Sequence, residues 1–174
     1  MESSRWNFVP IQKKHKRSEF DCGNDELNQY LSRYARQNDA KGINKAFVAT
    51  QSDTPLIIDG YYTISSSIIE FSSMPESDRQ KLPAYPVPTA LIGRLAVDVS
   101  CQGEGLGTEL LVNALGRIVK ASSEIGIYAV RVDAIDEKAK QFYLKHEFIP
   151  LEDTSLSLFL PLKTVRREFS LTQL

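Results

Sequence analysis

The stretch Leu91–Leu111, LIGRLAVDVSCQGEGLGTELL, constrains this chain most, because an apolar strand, a glycine-rich turn and the start of an amphipathic helix follow without a break. The first turn of a helix leaves backbone N–H groups without intrahelical partners, and the helix dipole adds partial positive charge there. Such a junction binds anions without needing Lys or Arg. Glycine at 103, 105 and 107 removes the Cβ that would block close approach and admits positive φ. Gln102, Gly103, Gly105, Leu106, Gly107 and Thr108 are therefore expected to wrap a pyrophosphate. Two other phosphate loops are excluded by spacing. A P-loop needs Lys after its last glycine, where this chain has Thr108, and the dinucleotide fingerprint needs GxGxxG, where it has GxGxG. What remains is Gln102-x-x-Gly105-x-Gly107 after a strand, a pattern that a structural turn or another phosphate ligand also fits.

At 174 residues the chain fits one domain, 1–174, with a sizeable core. A net charge of -1, with 25% charged and 42% hydrophobic residues, describes an ordinary globular protein and gives no global sign of nucleic-acid binding. Cys22 and Cys101 are its two cysteines, and MESSRWNFVP lacks the apolar segment of a signal peptide, so a cytoplasmic protein with reduced thiols is expected. Apolar runs fall far short of the roughly 18 residues a membrane span needs. His15 and His146 have no partners at metal-ligand spacing, so no metal site is expected.

The rest of the chain reads as alternating elements. Phe8–Ile11 is a short apolar strand, followed by the basic run Lys13, Lys14, His15, Lys16, Arg17. Asn24 caps a helix from Asp25 to about Lys41, whose apolar face is Leu27, Tyr30, Leu31, Tyr34 and Ala35 and which Gly42 stops. The opposite face carries Arg33, Arg36 and Lys41, charges whose ordinary role is solvation. Ala46–Thr50 and Leu56–Ile69 read as strands, with Gly60 a place for a bulge or a close approach. Four prolines make 72–88 irregular, with room for a helical turn or two at Glu76–Leu82. Thr89–Val99 is the central strand, and Leu106 to about Ser122 the amphipathic helix after the glycine loop. Strand Ile127–Ala134, helix Glu137–His146 and strand Leu156–Leu160 complete an α/β order with a mixed central sheet flanked by helices.

The helix at Glu137 carries Phe142 and Tyr143 in tandem, just after the strand expected beside the central one. A tyrosine at helical spacing is usually packing. Here, however, Ala139, Phe142, Tyr143 and Phe148 resemble the A-x-x-F-Y-x-x-x-G-F helix of the GNAT N-acetyltransferases, and Gln102-x-x-Gly105-x-Gly107 resembles their Q/R-x-x-G-x-G/A loop. Glu147 stands where the family pattern has Gly. The resemblance implies a GNAT acyl-CoA N-acyltransferase fold, acetyl-CoA as donor held by the loop, and Tyr143 as the acid that protonates the departing thiolate. It also implies that Phe142 and the backbone of Ala96 and Val97 line the cofactor site. FDCGNDELNQYL, Ile92–Asp98 and Ser157–Leu162 further resemble the branch whose members are toxins of toxin–antitoxin pairs. That likeness implies an aminoacyl-tRNA acceptor, a ribbon-helix-helix antitoxin and a homodimer.

Acetyl transfer to an amine needs a neutral amine, donors for the oxyanion and a proton for sulfur. No Glu on the central strand offers an obvious base, leaving Asp98, Glu70 and Glu104 as candidates. An α-amino group of pKa about 7.7–8.0 is roughly one-third neutral near pH 7.5, whereas a lysine at about 10.4 is about 0.1% neutral, so an α-amino acceptor manages without a dedicated base. Binding tRNA would fall to a local patch of Lys13, Lys14, Lys16, Arg17, Arg33, Arg36 and Lys41. The alternative is a GNAT enzyme acting on a small or protein amine, with those residues merely solvated.

Overall fold

The computed structural model describes residues 3–172. Its strands are β1 (Trp6–Pro10), β2 (Lys45–Gln51), β3 (Gly60–Ile69), β4 (Val87–Val97), β5 (Ala129–Asp133), β6 (Ile149–Pro150) and β7 (Ser157–Pro161). They hydrogen-bond in the order β1-β2-β3-β4-β5-β7-β6. β4 and β5 pair parallel, whereas β1–β2, β2–β3, β5–β7 and β6–β7 are antiparallel, so the sheet is mixed as expected. Helices α1 (Asp25–Gln29), α2 (Ala35–Ala40), α3 (Glu76–Arg79), α4 (Leu106–Ala121), α5 (Glu137–Lys145) and α6 (Leu162–Thr172) flank it.

The chain divides into two compact units, Met1–Ser65 with Gly93–Ala114, and Ser66–Ile92 with Leu115–Leu174. In the first, Phe20, Tyr30, Leu31, Ala35, Val48, Ile58, Tyr61 and Ala96 form a buried apolar cluster. In the second, Ile69, Met74, Val87, Ala129, Leu151 and Phe159 do the same.

Four local readings change. The single helix expected over 25–41 is α1 and α2 joined by a π-helical turn, Tyr30–Tyr34, in which the Ala35 N–H donates to the Tyr30 carbonyl. Tyr30, Leu31 and Ala35 are all buried, and a spacing of five from Tyr30 to Ala35 is what a π turn closes. The second hairpin strand begins at Gly60, not Leu56, because Leu56 ends a turn, Ile57 bridges to Lys16 outside the hairpin, and the Asp59 carboxylate is buried against β1 and β2. The two-residue β6 was not expected, nor was α6, which puts Leu162 and Val165 into the interior directly after Pro161.

What positions the site is where the parallel pairing stops. β4 pairs with β5 at Thr89–Ile92 against Ala129–Val132, then continues through Gly93 to Val97. The Pro88 carbonyl accepts from the Tyr128 N–H at 2.9 Å, facing β5, whereas the Asp98 N–H, in the same two-residue phase, donates to the Asp59 carbonyl just ahead of β3 at 2.8 Å. An unbroken strand would send both to one edge, so β4 changes edge once between them.

Candidate active site

The loop after β4 has the backbone an anion cradle requires. Gly103 and Gly105 stand at φ +81° and +87°, the left-handed region that glycine enters without steric cost. A Cβ at either would meet no heavy atom within 4 Å, so it is the backbone conformation and not crowding that calls for glycine there. α4 begins at Leu106 and runs 16 residues, so its first-turn N–H groups and the positive end of its dipole face that loop. These residues fit the pyrophosphate of acetyl-CoA.

Side chains far away in sequence fix where the loop starts. The Gln102 amide donates to the Val97 carbonyl at 3.0 Å and to the Cys22 carbonyl at 3.1 Å. Asp98 accepts the Ser100 N–H and hydroxyl on Oδ1, at 3.0 and 2.8 Å, and the Asp21 N–H on Oδ2 at 3.0 Å. Asp21 in turn accepts from the Gly23 N–H and the Asn28 amide, which hold its carboxyl below the usual carboxylate range. The FDCGN turn is thus a strut for the glycine loop. Asp98 is a cap in this arrangement, with three hydrogen bonds on its carboxylate. Glu104 is also engaged, its Oε2 lying 2.6 Å from Arg5.

Cys101 is buried beside the loop, and burial pushes its thiol up, away from the reactive thiolate. A packing role, rather than nucleophilic chemistry, agrees with that environment.

Tyr143 is held by the end of its own helix. Asp136 caps the start of α5 by accepting the Ala139 N–H at 2.8 Å. At the other end the Phe148 N–H donates to the Tyr143 carbonyl and the Glu147 N–H to the Leu144 carbonyl, at 3.2 and 3.1 Å, which is a Schellman motif. Its accompanying apolar contact is Tyr143 against Phe148, edge to face at 5.4 Å, with Phe142 edge-on at 5.2 Å. The motif requires a left-handed residue at position 147, and Glu147 takes φ 68°, which is why the family pattern has glycine there. Tyr143 is 6% exposed, and burial drives its phenol well above the ordinary tyrosine value.

The basic residues named from the sequence divide by environment. Lys13, Lys14, Lys16, Arg33 and Lys41 are exposed, whereas Arg17 and Arg36 are half-buried with each Nε lacking a hydrogen-bond partner. His15 is buried and its Nδ1 accepts the Gln12 N–H at 2.9 Å, closing the turn that displays Lys13 and Lys14. The short helical turn Arg17–Glu19 packs against the π turn that carries Arg33.

Two side chains at this site escaped the sequence reading. Arg94 on β4 lays its guanidinium over the Tyr30 ring, 3.4 Å from the centroid, while the Tyr30 hydroxyl accepts from Asn38 and Asn44. Asp59 accepts the Trp6 indole N–H at 3.0 Å and the Gln51 amide at 2.7 Å. The Asp59-Gly60 pair after an exposed turn was the available signal for the second; nothing local marked the first.

A strand that outruns its parallel partner, followed by a glycine loop and a helix start, is an arrangement suited to holding an anionic donor by backbone N–H groups. Residues 87–157 match the family model described as acetyltransferase (GNAT) domain. The tRNA-acetylating toxin of Mycobacterium tuberculosis (strain ATCC 25618 / H37Rv) is 35% identical over 147 residues, 84% of this chain and 86% of the toxin. The chain belongs to the GNAT acetyltransferase family. Its structure resembles that of AtaT complexed with acetyl-methionyl-tRNAfMet at a TM-score of 0.88, with 30% identity and 94% and 99% of the two chains covered. It also resembles a tyrosine-to-phenylalanine mutant of the AtaT toxin bound to acetyl-CoA and the C-terminus of the antitoxin AtaR, at a TM-score of 0.82, with 29% identity and 95% and 99% covered.

Proposed function

We propose that this protein transfers the acetyl group of acetyl-CoA to the α-amino group of aminoacyl-tRNA, and that an antitoxin restrains it. The observation that carries this reading is the likeness to a tRNA-acetylating toxin over 84% of the chain, at an identity that extends well beyond the two GNAT motifs. The same likeness favours it over a small-amine or protein-amine acetyltransferase. The reading takes residues 1–174 as one catalytic domain working in the cytoplasm, as a homodimer. No helix among the described residues is long and apolar enough to cross a membrane.

Acetyl-CoA supplies the acetyl group as an activated thioester. In this reading the N–H groups of Gly103, Gly105, Leu106, Gly107 and Thr108 hold its pyrophosphate, with Gln102 fixing the loop. The open edge of β4 at Ala96 and Val97 takes the pantetheine, and Phe142 lines the site. That β4 runs on to Val97 after its last pair with β5 at Ile92 supports this, because residues beyond that pair are not held in the β4–β5 ladder. Tyr143 gives its proton to the leaving sulfur, and its raised pKa keeps that proton in place across the physiological range. Asp98 and Glu104, two of the three carboxylates considered as bases, are occupied by other partners, which suits an acceptor whose amine is already partly neutral. Lys13, Lys14, Lys16, Arg17, Arg33, Arg36 and Lys41 meet tRNA phosphates.

The test is acetyl-CoA consumption with charged tRNA, run beside uncharged tRNA, spermidine and a peptide panel. Consumption with charged tRNA alone, lost in Tyr143→Phe, is the expected result. Consumption with spermidine or peptides instead would transfer the chemistry to the alternative acceptor class.

A further inference from the structure

The sequence QGEGLG places a carboxylate, Glu104, between the two left-handed glycines of a loop that is otherwise built to attract anions. Left to itself, that charge repels a pyrophosphate. In the structure it is neutralised from the far end of the chain: Arg5 Nη2 lies 2.6 Å from Glu104 Oε2. Arg5 is itself fixed, because its guanidinium lies 4.2 Å from the centroid of the Trp6 ring. Trp6 is buried and its indole N–H is hydrogen-bonded to Asp59, whose carbonyl accepts the Asp98 N–H at the head of the loop. Strand β1 and the glycine loop are therefore tied at two points, one ionic and one through Asp59.

We propose that Arg5, seated on Trp6, is a positioning residue for acetyl-CoA, which holds the Glu104 carboxylate aside and cancels its charge where the pyrophosphate binds. This rests on the reading that the glycine loop takes that pyrophosphate. Arg5 lies outside the Gln-x-x-Gly-x-Gly motif, and Glu104 fills one of its variable positions. The energetic signature of the pairing is specific. Removing Arg5 alone leaves an uncompensated negative charge in the loop, whereas removing both charges leaves none.

The experiment is calorimetric titration of CoA into the full-length protein and four variants: Arg5→Ala, Glu104→Gln, the double variant, and Gly105→Val. Arg5→Ala is expected to weaken CoA about three- to tenfold at low salt, an effect that shrinks at 0.5 M salt as screening rises. Glu104→Gln is expected to bind as well as the parent or better, and the double variant to match Glu104→Gln within about twofold. An unchanged Kd in Arg5→Ala, or a double variant as weak as Arg5→Ala, overturns the proposal. Gly105→Val separates the two levels of argument. If it abolishes CoA binding while Arg5→Ala does nothing, only the positioning role falls; if it leaves binding intact, the reading of the loop falls and the proposal with it.

Discussion

Gly60→Ala is the substitution through which the structure makes its sharpest quantitative statement. A Cβ on Gly60 would stand 2.8 Å from Leu110 Cδ1, 3.0 Å from the Ala96 carbonyl oxygen and 3.2 Å from Leu106 Cδ2. Comfortable carbon–carbon contact is about 3.5–4.0 Å, so the Leu110 methyl must retreat by roughly 0.7 Å or more. Leu110 has a rotatable side chain but is fully buried, and the Ala96 oxygen is backbone on β4, so neither yields freely. Overpacking of this kind costs about 1–3 kcal/mol, offset by about 0.4–1 kcal/mol from the reduced freedom of the unfolded chain. The net loss is about 1–2 kcal/mol, a fall in Tm of about 2–8 °C for a chain of this size. Its neighbours are the end of β4 and the first turns of α4, so CoA affinity should weaken with it. Urea denaturation and calorimetry with CoA measure the two effects, and Gly126→Ala is the control, since a Cβ there meets nothing within 4 Å. A Gly60→Ala protein as stable as the parent, with the parent's affinity for CoA, would refute the packing argument.

Three further outcomes follow from the same geometry. Tyr143→Phe should lower kcat about 10²- to 10⁴-fold while leaving CoA affinity within about twofold, and in the parent the raised phenol pKa should leave no alkaline fall in kcat traceable to Tyr143 below pH 9, as a pH–rate profile of both proteins would reveal. Glu147→Gly relieves the left-handed strain at the end of α5 and should stabilise by about 0.5–1 kcal/mol, seen as a Tm higher by about 1–4 °C with kcat unchanged. His15 is held below its ordinary pKa by burial and then by the charge of Lys14, so the unfolded chain binds its proton more readily; the stability it contributes is complete above about pH 6.5 and is lost as pH falls through the folded value. Urea midpoints at pH 7.5 and 5.5 should therefore differ less in His15→Asn than in the parent.

The glycine loop, the helix after it and the capped Tyr143 helix were legible in the sequence because each is determined locally. Glycine spacing, a capping Asp136 and an apolar stripe act within about a dozen residues, and the structure keeps α4 and α5 within two residues of the expected bounds. Gly60 was legible as a close approach for a similar reason: a glycine inside an apolar strand needs a neighbour that would exclude a side chain. α6 was hidden by Pro161, which reads as a terminator after a strand, although Leu162, Val165 and Phe169 carry helical spacing beyond it. The π turn had no local signal at all. Tyr30, Leu31, Tyr34 and Ala35 fit an ordinary helical face, and what distinguishes Tyr30 from a packing residue is its contact with Arg94, 64 positions later, and the hydrogen bonds its hydroxyl accepts from Asn38 and Asn44.

The same distinction explains why the sequence offered three carboxylates as bases and the structure reduces the choice. Asp98, Glu104 and Glu70 are equivalent as letters, because a carboxylate's function depends on what already binds it. Asp98 is committed to Ser100 and Asp21, and Glu104 to Arg5, through partners as distant as 77 and 99 positions. A carboxylate already accepting three hydrogen bonds has few lone pairs left with which to take a proton from an amine. An acceptor with an intrinsically low amine pKa removes that requirement. The engagement of Asp98 and Glu104 is in keeping with the proposed α-amino acceptor, which needs no dedicated base.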